Sequence, residues 1–206
     1  MAFDIIVFGI NHKSASVDLR GRVAFAPETV VETLRSAQAS LDSSEIALLS
    51  TCNRTEIYAA GELSDKQLLV WLAETKGLDI TDIENCYYCL RGDEAIRHMI
   101  RVASGLDSLV MDEPQIFGQI KSAYSVAQKA ETVSVHLNAA FQWAFAVAKR
   151  VRSETAIGKN PVSVAYASVS LAEQIFSDLK NAENSSMFGF GSGEKAGENI
   201  FDKKII

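Results

Sequence analysis

The sequence predicts an α+β fold: a small β-α-β domain with an antiparallel sheet, followed by a helical second half. Three observations carry this. Short apolar runs alternate with helix-period stretches over the first ninety residues, in the order β-α-β-β-α-β. From Asp93 onward the apolar spacing becomes helical. The composition, 48% hydrophobic over 206 residues, is that of a globular chain able to bury a core.

Residues 3–10, FDIIVFGI, read as a buried strand closed by Asn11-His12-Lys13. A helix is expected over 27–41, opened by Pro27 and carrying Val30, Val31, Leu34, Ala37 and Leu41 at helical spacing. EIALLS (45–50) and EIYAAG (56–61) read as consecutive strands around LLSTCNRTEIY. Residues 64–76 form a helix with Ser64 as N-cap and an apolar stripe of Leu68, Leu69 and Leu72. Asp93 is expected to cap the next helix, with Ile96, Met99, Ile100 and Ala103 on one face and Gly105 at its end. Pro114 starts another, bearing Ile116, Phe117, Ile120, Ala123 and Ala127. A long helix over about 134–157 follows, with Lys149, Arg150 and Arg152 near its end. GKNP breaks it, and residues 162–180 read as a helical connector ending in the polar NAENSS.

A net charge of −6 argues against a broad nucleic-acid coat and leaves room for a local basic surface. No run approaches the roughly 18 apolar residues of a membrane span, and the N-terminus lacks the pattern of a secretory signal. Three cysteines, an odd number, fit a reducing compartment, so a cytoplasmic protein is expected. Cys86 and Cys89 form a lone CxxC whose tyrosines read as strand residues; no metal site is expected there.

The tail, SSMFGFGSGEKAGENIFDKKII, has a short apolar run, a glycine-rich turn and a helix-like stretch. That is the context of a dinucleotide-binding fingerprint, the start of a Rossmann-like unit. One register uses Gly189 and Gly191 with Glu194 in the third position. The preferred one uses Gly191 and Gly193 with Ala196. Gly191, Gly193, Glu194 and Ala196 are therefore the candidate cofactor residues of an incomplete site. The chain carries no acidic ribose-binding residue about 20 positions further on.

Chemistry concentrates at Thr51-Cys52-Asn53-Arg54. Catalysis by Cys52 needs a lowered thiol pKa or a nearby base, and Arg54, two positions on, could place positive charge near the sulfur. A turn with a buried structural cysteine is the alternative. His98 falls off the apolar stripe of its helix, which suits a proton-transfer group or a solvated surface histidine. His12 at a strand exit is an equal candidate, while His136 reads as structural. Gln115, Gln119 and Ser122 share the polar face of the helix after Pro114. With Glu113 and the SGLDS loop (104–108) they could line a pocket for a small polar ligand bearing an amino group.

GINHKSAS, LLSTCNRTEIY, RHMIRVASGLDS, EPQIFGQIKSAY and AKRVRSETAIG, in this order, closely resemble the glutamyl-tRNA reductase family over residues 5 to about 180. The resemblance implies reduction of glutamyl-tRNA(Glu) to glutamate-1-semialdehyde with NADPH, the entry to tetrapyrrole (porphyrin, heme) biosynthesis by the five-carbon route. It implies Cys52 as the nucleophile that forms a thioester, and His98 as a proton-transfer partner. Thr51, Asn53, Arg54, Ser108, Glu113, Pro114, Gln115 and Gln119 match its substrate contacts, with Arg54 suited to clamp the glutamate carboxylate. By family the partners are glutamyl-tRNA, a second copy in a homodimer and glutamate-1-semialdehyde aminomutase.

The expected organisation is a catalytic domain over 1–158, a helical connector over 159–184 and an incomplete NADPH-binding start over 185–206, without a dimerisation domain. Asp112 stands where the family usually has glycine. Two functions compete: a catalytic domain limited to acyl transfer or hydrolysis when alone, and a catalytically inactive, truncated tRNA-binding fragment.

Overall fold

The computed structural model describes residues 5–43, 45–108, 115–155 and 157. Four strands, β1 (Ile5–Asn11), β2 (Glu45–Ser50), β3 (Arg54–Ala60) and β4 (Tyr88–Arg91), form one sheet in the order β2-β3-β1-β4. All three pairings are antiparallel. The helices are α1 (Val17–Val23), α2 (Val30–Ser40), α3 (Asp65–Lys76), α4 (Ile80–Ile83), α5 (Gly92–Ala103), α6 (Gln115–Ala130) and α7 (Val135–Glu154). The expected α+β class is the observed one, while the expected helical connector and Rossmann-like start lie outside the described residues.

Both central strands are buried along their whole length, because helices cover the two faces of the sheet. Alternation and register sort the side chains. One face carries Val7, Gly9 and Asn11 of β1, Ala47 and Leu49 of β2, Arg54, Glu56 and Tyr58 of β3, and Tyr88 of β4. Tyr58 meets Phe141 of α7 edge-on at 5.3 Å between ring centroids on this side. The other face carries the apolar Phe8, Ile10, Leu48 and Ile57, with Ser50 and Thr55 near the turn and Arg91 on β4.

Local chemistry sets several boundaries. Ser64 and Gln67 form a reciprocal capping box at the start of α3, and Gly77 closes that helix in the left-handed region at φ 61°. Glu45, buried on β2, caps α7 from outside its own segment. Its carboxylate accepts the N–H groups of Ser134, His136 and Leu137, each at 2.8 Å.

Four expectations need correction. Helix α1 was not anticipated; it is seven residues long, capped by Ser16 through Leu19 N–H, and buries only Leu19 and Val23. Seven residues carry too few apolar positions to show a period. Pro27 lies in the turn before α2, which starts at Val30. Strand β3 begins at Arg54, two residues early, because the hairpin turn is tighter than expected. Helix α5 has Arg91 at its N-cap, with Asp93 in the first turn. No described helix is long and apolar enough to cross a membrane.

Candidate active site

Strands β2 and β3 are joined by the three residues Thr51, Cys52 and Asn53. Thr51 N–H donates to the Arg54 carbonyl (2.8 Å), and Thr51 Oγ1 accepts the N–H groups of Asn53 and Arg54, both at 3.2 Å. The turn is tied to its surroundings as well: His12 N–H donates to the Asn53 carbonyl (2.9 Å), and Arg20 Nε donates to the Cys52 carbonyl (3.2 Å). Cys52 thus sits at the hairpin tip as an exposed free thiol. The buried-cysteine alternative does not describe it.

One step beyond the turn, Arg54 goes inward. It is 1% exposed, and its Nη1 donates to Glu56 Oε1 at 2.6 Å. Its Nη2 donates to the Asp107 carbonyl. No hydrogen bond reaches the Cys52 sulfur among the described residues, so the guanidinium serves Glu56 and Asp107, not the sulfur. The chain turns at Cys52–Asn53, which removes the straight-strand geometry that would have put Cys52 and Arg54 side by side.

Glu56 is the hub. Besides Arg54, its Oε1 accepts from His98 Nε2 (2.8 Å) and Tyr88 Oη (2.5 Å), and its Oε2 accepts from Tyr58 Oη. Burial alone pushes this carboxyl up. The hydrogen bond from His98, the Arg54 charge and the tyrosine outweigh it and hold Glu56 well below the usual carboxylate range. Burial likewise opposes the charge of Arg54, but Glu56 beside it leaves the guanidinium more strongly protonated than usual. Burial, then the Glu56 charge, push the Tyr58 and Tyr88 phenols up.

Asp107 closes the network. Its carboxylate pairs with Lys13 and lies 3.6 Å from Arg54 Nη1 and 3.8 Å from His98 Nδ1. Burial raises this carboxyl, but Lys13 and Arg54 together bring it below its ordinary value. His12, beside them, is pushed down by burial and by the charges of Arg54 and Lys13.

The inward turn of His98 corrects the sequence reading. The buried face of α5 is Ala95, His98, Met99, Val102 and Ala103, whereas Ile96 and Ile100 are only half-buried. Small Ala95 and Ala103 let the helix approach the sheet closely enough for the imidazole to reach Glu56. Glu56 escaped the sequence reading, and Asp107 was read only as part of the SGLDS loop. The readable signal was the alternation Arg54-Glu56-Tyr58: charged and polar groups on the inward face of an otherwise apolar strand.

Of the expected substrate contacts, Thr51, Asn53 and Arg54 form the turn and its root, and Ser108 is half-buried just past Asp107. Gln115 and Gln119 are exposed on the first turns of α6 and line a cleft of about 510 Å³ beside β2. Asp112, Glu113, Pro114, Gly191, Gly193, Glu194 and Ala196 lie outside the described residues. Among the described residues no cluster of His, Cys, Asp and Glu has metal-binding geometry.

Comparison with known proteins places this arrangement. The family model described as "Glutamyl-tRNAGlu reductase, N-terminal domain" matches residues 8–155. A glutamyl-tRNA reductase of Saccharophagus degradans is 57% identical over 176 residues, covering 85% of this chain and 41% of that protein. One from Pseudomonas fluorescens (strain SBW25) is 56% identical over 184 residues, 89% of this chain and 42% of that protein. The solved glutamyl-tRNA reductase from Methanopyrus kandleri superimposes with a TM-score of 0.66 at 34% identity, covering 82% of this chain and 39% of that one. The chain thus spans about two fifths of the length of the curated relatives it matches.

Proposed function

Since the chain belongs to the glutamyl-tRNA reductase family through its N-terminal domain, we propose that it carries the acyl-transfer half of that reaction at Cys52. The substrate is the ester that joins glutamate to the 3′ end of its tRNA. The Cys52 thiolate attacks the ester carbonyl, a carbon–sulfur bond forms and the carbon–oxygen bond to the ribose breaks. The ribose oxygen takes a proton and tRNA leaves, with the glutamyl group held as a thioester.

The observation that supports this reading is the division of labour across one hairpin. An exposed thiol stands at the tip, and the strand that follows is rooted in a buried cluster of Arg54, Glu56, His98 and Asp107. His98 donates through Nε2 to ionised Glu56, which leaves Nδ1 as the nitrogen that exchanges a proton with the reacting groups. Arg54 is the cation that receives the glutamate side-chain carboxylate, by exchange for the Asp107 carbonyl. Thr51, Asn53, Ser108, Glu113, Pro114, Gln115 and Gln119 complete the contacts to the glutamyl end of the substrate.

NADPH would supply the hydride that converts the thioester to the aldehyde. The residues proposed to hold it lie outside the described ones. Catalytic, connector and cofactor segments over 1–158, 159–184 and 185–206, a homodimer, an aminomutase partner and a cytoplasmic setting belong to the same proposal.

The test is a single incubation of this chain with glutamyl-tRNA carrying labelled glutamate, without NADPH. Expected is label on the protein, released by hydroxylamine and abolished by Cys52→Ser. If parent and Cys52→Ser both retain tRNA but leave the ester intact, the inactive tRNA-binding fragment is the correct description.

A further inference from the structure

The cleft beside β2 is the second half of the substrate site: we propose that it receives the terminal adenosine of the aminoacyl-tRNA, with adenine read by the free edge of β2. This deepens the acyl-transfer reading and rests on it. The cleft holds about 510 Å³, within the range of small-ligand sites, and is bounded by the approach to α2 (Pro27 and Val30), by α6 (Gln119 and Val126) and by the edge of β2.

Three features choose the occupant. First, no charged side chain lines the cleft among the described residues, so it does not suit the glutamate carboxylate. Its apolar walls, Pro27, Val30 and Val126, suit a flat uncharged ring. Second, the strand edge there is unpaired. Thr51 N–H bonds to the Arg54 carbonyl toward β3, so Ser50, Leu48 and Ile46 direct their backbone groups away from β3. Ile46 N–H does so visibly, donating to the Thr132 carbonyl at 2.7 Å. The Leu48 carbonyl and the Ser50 N–H have no hydrogen-bond partner among the described residues.

An acceptor and a donor spaced i and i+2 along one edge match the exocyclic amine and ring N1 of adenine. Main-chain groups that no protein partner satisfies are left to water or to a ligand in the cleft. The open edge spans only Leu48 to Ser50, because Thr132 closes it at Ile46. That is too short to recruit a peptide strand.

Third, the cleft opens where the ester must be. At about 3.3 Å per residue, Leu48 and Cys52 are at most about 13 Å apart along the chain. That is a span an acylated adenosine bridges from its base edge to its 3′ oxygen. Gln119, with its amide at the wall, is then placed to contact the nucleoside and not the amino acid alone.

Gly118 makes the proposal testable without touching Cys52 or the charge cluster. It lines the cleft, and a Cβ there would meet nothing within 4 Å, so Gly118→Leu starts from an unhindered Cβ, occupies cleft space and favours the helix. The ¹⁵N-labelled chain is titrated with adenosine 5′-monophosphate and, separately, with inosine 5′-monophosphate, which reverses donor and acceptor at the same edge. Saturable shifts of the Ser50 amide with the adenosine nucleotide, weakened about tenfold by Gly118→Leu, are expected. In parallel, Gly118→Leu should raise KM for glutamyl-tRNA in Cys52 acylation by about tenfold or more.

Equal shifts with both nucleotides overturn the adenine reading. No shift at Ser50, or an unchanged KM in Gly118→Leu while the parent still acylates Cys52, overturns the cleft and leaves acyl transfer standing. Adenosine-specific shifts in a chain that never acylates Cys52 support the cleft and sink the function proposed above.

Discussion

Gly9 and Glu56 face each other across β1 and β3, and a Cβ built on Gly9 would lie 2.8 Å from Glu56 Cγ and 2.8 Å from Tyr88 Oη. The missing side chain is the space in which the hub carboxylate and its tyrosine sit. Glu56 is buried, Tyr88 half-buried, and both are fixed by hydrogen bonds, so neither yields easily. Gly9→Ala should therefore destabilise the chain by about 1–3 kcal/mol, with a larger proportional loss in Cys52 acylation. Urea unfolding and single-turnover acylation measure the two; an unchanged urea midpoint would show that the pocket can relax.

Removing the charge of Glu56 leaves Arg54 buried without its partner. Glu56→Gln should cost about 3–5 kcal/mol, the range for breaking a buried ion pair. Its folded pKa is depressed, so the stability it contributes is fully present above the unfolded carboxylate value, about 4.3, and is lost as pH falls toward the lower folded value. The parent should therefore lose stability with acid more steeply below about pH 4 than Glu56→Gln does. Asp107, also depressed, contributes in the same direction and remains in both proteins. Parallel acid-denaturation curves for the two proteins would contradict this.

His98→Gln keeps a donor for Glu56 and removes the second nitrogen. If His98 moves a proton in acyl transfer, the single-turnover rate should fall about 10²–10⁴-fold with little change in glutamyl-tRNA affinity. A matching loss in affinity and rate would instead mark His98 as a positioning group.

Helix α7 begins at a carboxylate from another strand. Glu45→Ala removes the acceptor for three N–H groups at once, at a cost of about 1–3 kcal/mol. Hydrogen exchange should show the first turn of α7, around His136 and Leu137, opening more than α3.

The three thiols differ in exposure: Cys52 is exposed, whereas Cys86 and Cys89 are half-buried. Iodoacetamide at limiting concentration should alkylate Cys52 first, as read by peptide mass, and denaturant should level the three rates.

The strand–turn–strand around Cys52 and the capping of α3 by Ser64 were legible because each rests on local chemistry: alternation, turn residues and a capping box. The charge cluster was not. Arg54 could be seen as a cation, but its partners are Glu56 at i+2 on the same strand and Asp107, with His98 of α5 reaching Glu56, and only the fold unites them. His98 was assigned to the outer side of α5 because Ile96 and Ile100 dominate a hydrophobicity count. Close packing favoured Ala95 and Ala103 inward, and the hydrogen bond to Glu56 carried the imidazole with them.

The short turn through Thr51, Cys52 and Asn53 also constrains how such a site can change. A one-residue insertion that slipped β2 against β3 would carry every side chain of one strand to the opposite face. Arg54 and Glu56 would then stand among Phe8 and Leu48, and Thr55 and Ile57 would meet the imidazole. Nucleophile and buried charges are thereby locked to a common reading frame.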